Sequence, residues 1–519
     1  MKSLVICYDG TWNDPEMNKD GVSSTTNVYK ISNLVADRDS DGNEQKVYYH
    51  PGVGTEGFID SLLGGMMGKG IEDKICSGYH WLAMNYEEGD RIYIFGFSRG
   101  AFTARSLGGL LGIGLPHIKD KTSHEQWKKV HRVFEAYRTE SGLESFDSFI
   151  KPDVELIGVW DTVGALGIPD DLEVINLFDD KKDWEFYDNN LGSNVKHGRH
   201  AMAIDEIRSS FTVTRWTNRE GGTAKPENVH KGIVEKWFPG AHSDVGGGNV
   251  TCDLSDGALI WMVEEAENIG LKFRDNWKKT LKPDPCGVLH DSYRGMLSKL
   301  RSRPRNIPAM IEGSEHFHES AFERQRVSPP GYPKYYPTKI LEKGEEVEFD
   351  VFASERWNYT GIFIEKGSYI FSADGEWVND GEKSDWRGAE DDDGSIFGGM
   401  IKKAAGSAFG MVEDAYERLA DNKSSDLPLT KRVEGFPWFC MVGSVANDMG
   451  ECADSSRKRR GTKNDGSPYP HQYVHLASHG ESNPLEINHE GYLYCFSNDA
   501  WRSYDDNKGS IRLRVKRVE

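Results

Sequence analysis

The sequence predicts an α/β protein on a mostly parallel sheet with flanking helices, followed by an all-β sandwich carrying a helical insertion. Three observations predict it. Over residues 1 to about 325, short apolar runs end in Gly- and Asp-rich turns and alternate with amphipathic stretches. Buried parallel strands and their covering helices read this way. Beyond about residue 340 the texture changes to short alternating strands joined by Gly, Asn and Asp turns, as in sandwiches. Between the two parts, SPPGYPKYYP (328–337) has no periodicity and reads as a linker over 326–340.

The expected strands of the first part (1–325) are LVICYD (4–9), KVYYHPG (46–52), RIYIFGFS (91–98), VELIGVWD (154–161) and IVEKWFPGAH (233–242). Helical patterns occupy 124–138 and 254–266. In the second of these, Ala258, Leu259, Met262, Val263 and Ala266 share one face, with Ser255 as N-cap. The second part (341–519) offers VEFDVFA, GIFIEKGSYIFSADGEW, PWFCMVGSV, GYLYCFSND and SIRLRVKRV. Residues 395–419, after the acidic run at 390–393, are helical in pattern and rich in Gly, Ala and Met. They read as an insertion between strands, packed or lying on a membrane.

The 519 residues suit two to four domains, and 63 basic against 83 acidic residues give a net charge of −20. This balance excludes a nucleic-acid binder, which needs a basic face to displace phosphate counterions. It leaves a membrane substrate open. No stretch of about 20 apolar residues predicts a transmembrane helix, and MKSLVICYDGTWN is too short an apolar run for a signal peptide. Seven cysteines without C-x-x-C pairs read as thiols. The expectation is synthesis in the cytoplasm, with any export bypassing a signal peptide. P-loop, H-E-x-x-H and dinucleotide fingerprints are absent from the sequence.

Chemistry centres on Gly96-Phe97-Ser98-Arg99-Gly100. Among 56 glycines a chance G-x-S-x-G is expected on the order of 0.3 times. Here a strand-like run precedes it and a helix-like run, AFTARSLGGLL, follows. That is the setting of a nucleophile elbow, in which a sharp turn holds a serine hydroxyl clear. A serine needs a base to take its proton and an acid to orient that base. Two later strands end in Asp161 and His242, giving the order Ser, Asp, His. An N-cap role for Asp161 and a plain turn role for His242 are the alternatives. Asp244 competes as the acid or braces a loop, while His200 and His318 compete as the base. The oxyanion hole would combine the Arg99 N–H with that of Gly10 or Thr11, in a loop pinned by Asp9. His50-Pro51-Gly52-Val53-Gly54 would line the pocket, and 58–70 reads as a buried core helix, with a mobile lid or a lipid-facing surface as the alternatives.

CYDGTWN, GFSRGAFTAR, GVWDTVGALG, RHAMAIDE, GAHSDVGGG and HESAFER occur in this order over about 1–325. In this the chain resembles the α/β-hydrolase-like family that includes the class-one lipase effectors of bacterial type VI secretion. The resemblance implies a serine esterase acting on phospholipids, with Ser98, Asp161 and His242 as its triad and no cofactor for that triad. It also implies delivery into the periplasm of rival bacteria, a secretion spike partner and an immunity protein. Residues 340–519 are similar to small galactose-binding lectins of bacteria, through GIFIEKGSYIFSADGEW and NDAWRSYDDNKGSIRLRV. That likeness implies a glycan partner and Ca²⁺ held by Asp499, Ser503, Asp506 and Asn507, hard oxygen donors on one turn. An acidic hairpin without an ion is the alternative.

Overall fold

The computed structural model describes residues 1–10, 18–19, 22–52, 66–139, 141–146, 148–163, 191–216, 232–293, 301–331, 334–379, 382–388, 431–449, 470–501 and 503–519. The expected insertion at 395–419 lies outside them. The first part contains β1 (Ser3–Tyr8), α1 (Asn27–Leu34), β2 (Gln45–His50), α2 (Met66–Asn85), β3 (Arg91–Phe97), α3 (Arg99–Leu111), α4 (Ser123–Thr139), β4 (Val154–Trp160), β5 (Val195–Ala203), β6 (Ile233–Phe238), α5 (His242–Gly246), α6 (Asp253–Asn268) and α7 (Glu319–Val327). Six strands form one sheet in the order β2-β1-β3-β4-β5-β6, every pair parallel.

Alternate residues of β1 enter two cores. Leu4, Ile6 and Tyr8 pack with α2, α3 and α4 on one face. Val5 and Cys7 pack with α1 and α6 on the other. Such two-sided burial requires the near-continuous apolar runs seen in the sequence. β2 and β3 flank β1 on opposite sides, so the crossovers diverge there. A crevice at this switch point, outside the carboxyl ends of the strands, is where ligands bind in open α/β sheets.

Two expectations differ in detail. Ser255 sits inside the first turn of α6, its hydroxyl donating to the Cys252 carbonyl at 3.1 Å, while Cys252 occupies the N-cap. β5 was not expected as a strand, because VKHGRHAMA lacks an apolar run. Its polar residues are buried in pairs instead: Arg199 with Glu265 and His200 with Glu235.

The second part contains β7 (Lys339–Ile340), β8 (Glu346–Phe352), β9 (Asn358–Ile364), β10 (Gly367–Gly375), the hairpin β11 (Trp377–Asn379) and β12 (Glu382–Ser384), β13 (Met441–Val445), β14 (Gln472–His475), β15 (Leu485–Ile487), β16 (Gly491–Ser497) and β17 (Ser510–Arg517). Sheets ordered β8-β17-β10-β15 and β14-β13-β16-β9-β7 share one core. Val351, Phe371 and Leu513 of the first meet Ile362, Met441 and Leu493 of the second.

The segment expected as a linker is packed. α7 runs to Val327, and β7 pairs parallel with β9. Tyr335 is buried, its hydroxyl donating to Asp205 at 2.5 Å. The Pro-rich reading overlooked such aromatic anchors. Around Tyr335 a further core joins Met202 and Trp237 of the first part to Phe363 and Tyr492 of the second.

The six described cysteines are unpaired. Among the described residues no helix is long and apolar enough to cross a membrane.

Candidate active site

β3 ends at Phe97 and α3 begins at Arg99, leaving Ser98 alone to make the turn. It does so at φ 58° and ψ −125°, a strained conformation for a residue with a Cβ. Strain of this kind costs about 1–3 kcal/mol and persists only where surroundings enforce it. The enforcement is steric. A Cβ on Gly96 would lie 2.4 Å from the Gly100 carbonyl oxygen, and one on Gly100 would lie 2.2 Å from the Tyr8 carbonyl oxygen. Both glycines of the motif are therefore required by close main-chain approach. The Ser98 N–H donates to the Trp160 carbonyl at 3.1 Å, and its hydroxyl has no hydrogen-bond partner among the described residues.

Phe97 stands opposite Trp160 in the β3–β4 ladder, so Ser98 and Asp161 leave the same rim side by side. Asp161 also has positive φ, 38°. Its carboxylate is fully buried and held from four directions. It accepts from His242 Nδ1 at 2.6 Å, from the Ala203 N–H at 2.9 Å, and from Arg305 Nη1 and Nη2 at 2.6 and 2.9 Å. Burial alone would raise its pKa; the guanidinium and the imidazole bond outweigh that and hold it well below the carboxylate range.

His242 opens α5, beyond β6. Its ring lies 4.6 Å from that of Phe97 and 4.9 Å from that of Phe211. Its N–H donates to Glu206 Oε2 at 3.3 Å. Burial lowers its pKa despite the bond to Asp161, which favours the neutral ring. A proton on Nδ1, fixed by the carboxylate, leaves Nε2 able to accept another.

The remaining sequence candidates divide clearly. Asp9 accepts from Gly10 N–H at 2.7 Å, Thr26 Oγ1 at 2.6 Å and Tyr49 Oη at 2.8 Å, and burial pushes it up to about 6. It thereby occupies the Gly10 N–H. Thr11 lies outside the described residues. The Arg99 N–H, in the first turn of α3, has no intrahelical acceptor. Asp244 braces its own loop, accepting from the Ala241 N–H at 3.0 Å and pairing with His290 at 2.6 Å. Among the described residues it makes no hydrogen bond to His242. His200 lies behind the rim, where Nε2 accepts the Thr162 N–H at 3.1 Å. His318 caps α7 and stacks on Phe238 at 4.5 Å. His50 ends β2 and bonds to the Pro51 carbonyl at 2.8 Å; Val53 and Gly54 lie outside the described residues, as do 58–65.

Three neighbours of the site escaped the sequence reading: Arg305, Glu206 and Phe211. Glu206 closes the quoted stretch RHAMAIDE, though nothing local marks its role. Arg208 holds it, at 2.7 and 2.8 Å, and keeps it down at about 2 against the effect of burial.

In the sandwich, Asp499 is buried and accepts from the Ala500 N–H at 2.7 Å, Asn507 Nδ2 at 3.0 Å and Asn379 Nδ2 at 3.1 Å. Asp506 is exposed and Ser503 half-buried. As arranged, N–H donors close this loop, and it does not fit a cation unless both amides turn. Burial pushes Asp499 up to about 7. A raised carboxylate lowers stability as pH rises from its unfolded value, about 4. Melting temperature is therefore expected to fall less between pH 4.5 and pH 7.5 in Asp499→Asn than in the parent chain.

The fold is thus a doubly wound α/β sheet with Ser98 at a strand–helix turn and a buried Asp–His pair at the same rim. Residues 2–265, more than half of the chain, match the family described as "T6SS, Phospholipase effector Tle1-like, catalytic domain". The chain belongs to this family. It is 32% identical over 236 residues to "Uncharacterized protein YEL023C" of Saccharomyces cerevisiae, a match covering 40% of this chain and 32% of that protein. Among solved structures it is similar to an uncharacterized protein from Pseudomonas aeruginosa, with TM-score 0.37, 20% identity, and 55% and 49% of the two chains covered. It is also similar to a Tle1 effector in a structure described as bound to the VgrG spike of the type 6 secretion system. There the TM-score is 0.29, the identity 18%, and the coverage 48% and 51%. The chain spans about a third of the yeast relative and about half of each of these structures.

Proposed function

We propose that the chain is a serine ester hydrolase of phospholipase A type, cutting acyl esters of membrane glycerophospholipids. The observation that carries this reading is Ser98, held strained at the strand–helix turn, beside the 2.6 Å pair of Asp161 and His242. In the reaction the Ser98 hydroxyl turns to His242 Nε2 and gives up its proton. Oγ attacks the acyl carbonyl carbon, and the oxyanion is held by the Arg99 N–H and a second donor. The imidazolium returns the proton to the departing glycerol oxygen, so the lysophospholipid leaves as an alcohol. Water then attacks the acyl-serine through the same base and releases a fatty acid.

Family membership supports the phospholipid substrate and, with it, delivery as an antibacterial effector carried on a secretion spike and countered by an immunity protein. The sandwich would hold the enzyme near a surface glycan and raise its local concentration at the membrane. Calcium at Asp499 is part of this proposal only with the amides of Asn379 and Asn507 turned to present their oxygens. Millimolar Ca²⁺ should raise the melting temperature at pH 7.5 in the parent chain and leave Asp499→Asn unchanged.

The deciding experiment incubates the parent chain and Ser98→Ala with phospholipid vesicles and with short-chain nitrophenyl esters, followed by mass spectrometry of the lipids. Lysophospholipid and free fatty acid are expected from the parent chain alone, with Ser98→Ala down by at least about 10³-fold. Cleavage of soluble esters only would replace the lipid substrate by a non-lipid or glycan ester. Equal activity in both proteins would overturn the serine mechanism, and inactivity of both beside intact glycan binding would make the chain a carbohydrate-binding protein.

A further inference from the structure

Arg305 lies beyond the residues that match the family, yet it supplies two of the four hydrogen bonds on Asp161. Its other bonds go to the carbonyls of Ala203 at 2.6 Å and Phe211 at 2.7 Å. Its Nε has no acceptor among the described residues.

The sandwich holds the segment that carries Arg305. Residues 302–310 form a strap between the two parts, and the second part grips it almost residue by residue. Trp357 Nε1 donates to Ser302 Oγ at 3.0 Å. Arg303 pairs with Asp448. His471 Nε2 donates to the Pro304 carbonyl at 2.8 Å. Asn306 Nδ2 donates to Asp448 Oδ2 at 3.2 Å, and the Met310 N–H donates to Tyr492 Oη at 2.7 Å. The first part also touches the strap, through the Arg303 N–H donating to the Ile207 carbonyl at 2.6 Å and a bridge between Ser302 and Arg208, but it is the Arg305 side chain that reaches the rim of the parallel sheet at Asp161. His471 is fully buried and accepts the Asp448 N–H on Nδ1 at 3.3 Å, so both its nitrogens are committed to the grip. Asp448 and Met449 have φ of 49° and 50°. Left-handed backbone at non-glycine residues marks a place that its surroundings over-determine. Strained residues therefore stand at both ends of this connection, Asp161 at one and Asp448 at the other.

We propose that the sandwich domain sets the geometry of the active site: Asp448 and His471 hold the strap so that Arg305, a positioning residue, presents Asp161 to His242. This rests on the roles given above to Ser98, Asp161 and His242. The charged groups facing His242 are Asp161 at Nδ1, Glu206 at its N–H and Arg208 nearby. Withdrawing Arg305 leaves the charge of Asp161 uncompensated, which favours the imidazolium. The acid limb of kcat/KM then moves to higher pH.

The test uses the full-length chain with a soluble nitrophenyl ester, so that membrane attachment plays no part. It also follows the low-field NMR signal of the His242 Nδ1 proton, which needs no turnover. Arg305→Gln, Asp448→Ala and His471→Ala are expected to lower kcat at least about tenfold, as small misplacements near reacting groups do, with KM within about twofold. All three should move the acid limb upward and shift the Nδ1 proton signal. His471→Gln keeps a donor for the Pro304 carbonyl and should restore both. Asn306→Ala is a milder lesion that should move the signal in the same direction even if Asp448→Ala folds poorly. Parent limb and parent signal in both His471→Ala and Asn306→Ala would overturn the proposal. Hydrolysis that survives Ser98→Ala would instead remove the serine mechanism, and the Nδ1 signal would still show whether the strap controls the Asp161–His242 pair.

Discussion

Replacing Asp161 by Asn is expected to lower kcat on ester substrates by about 10⁴-fold while changing KM little. The carboxylate accepts the Nδ1 proton of His242 at 2.6 Å. An amide can offer its NH₂ there instead, which turns the imidazole to the tautomer with Nε2 protonated. Such a ring cannot take the proton of Ser98, and loss of tautomer control in a serine triad has an effect of this order. Asp161 differs from a simple orienting acid because it also neutralises Arg305. Breaking a buried ion pair from one side costs about 3–5 kcal/mol, so Asp161→Asn should also melt several degrees lower. Adding Arg305→Gln removes the stranded cation. The double variant should regain much of the melting temperature and none of the activity. Parent-like kcat in Asp161→Asn would assign the acid role elsewhere, and thermal melts beside initial rates separate the two effects.

Gly100→Ala is expected to destabilise the protein and abolish hydrolysis together. Position 100 is in the first turn of α3, where Ala should favour helix by roughly 1 kcal/mol over Gly. The added methyl would lie 2.2 Å from the Tyr8 carbonyl oxygen and 2.6 Å from that of Asp9. These are main-chain atoms of a buried strand end and cannot swing aside as a side chain would. Overpacking costs typically 1–3 kcal/mol, and here relief comes only by lifting α3, with Ser98 attached, off the sheet. Gly257, inside α6, is the matched control. Its nearest neighbour to an added methyl is Pro283 Cβ at 3.9 Å, so Gly257→Ala should stabilise by roughly 0.5–1 kcal/mol. Denaturant melts of the two variants should move in opposite directions, and only Gly100→Ala should lose activity.

The legible parts of this molecule are those whose demands are met within a few residues. The apolar runs of β1, β3 and β4 follow from burial on both faces of the sheet. G-x-S-x-G is readable because both glycines answer local crowding of backbone on backbone. β5 was hidden because its buried polar residues depend on partners far along the chain, as Arg199 does on Glu265. Arg305 was hidden for the same reason. It meets Asp161 across 144 positions, from a strap without periodicity, and any of 63 basic residues could have served. Sequence also placed Gly10 as an oxyanion donor, where the fold commits its N–H to Asp9.

Because Phe97 stands level with Trp160 in a parallel ladder, the main chain at Ser98 and at Asp161 takes its separation from the pitch between neighbouring strands, about 4.8 Å. Repacking of side chains deep in either layer leaves that separation unchanged. The chemistry is thereby inherited with the backbone, and the surfaces around the rim are left to diversify with the molecule being cut.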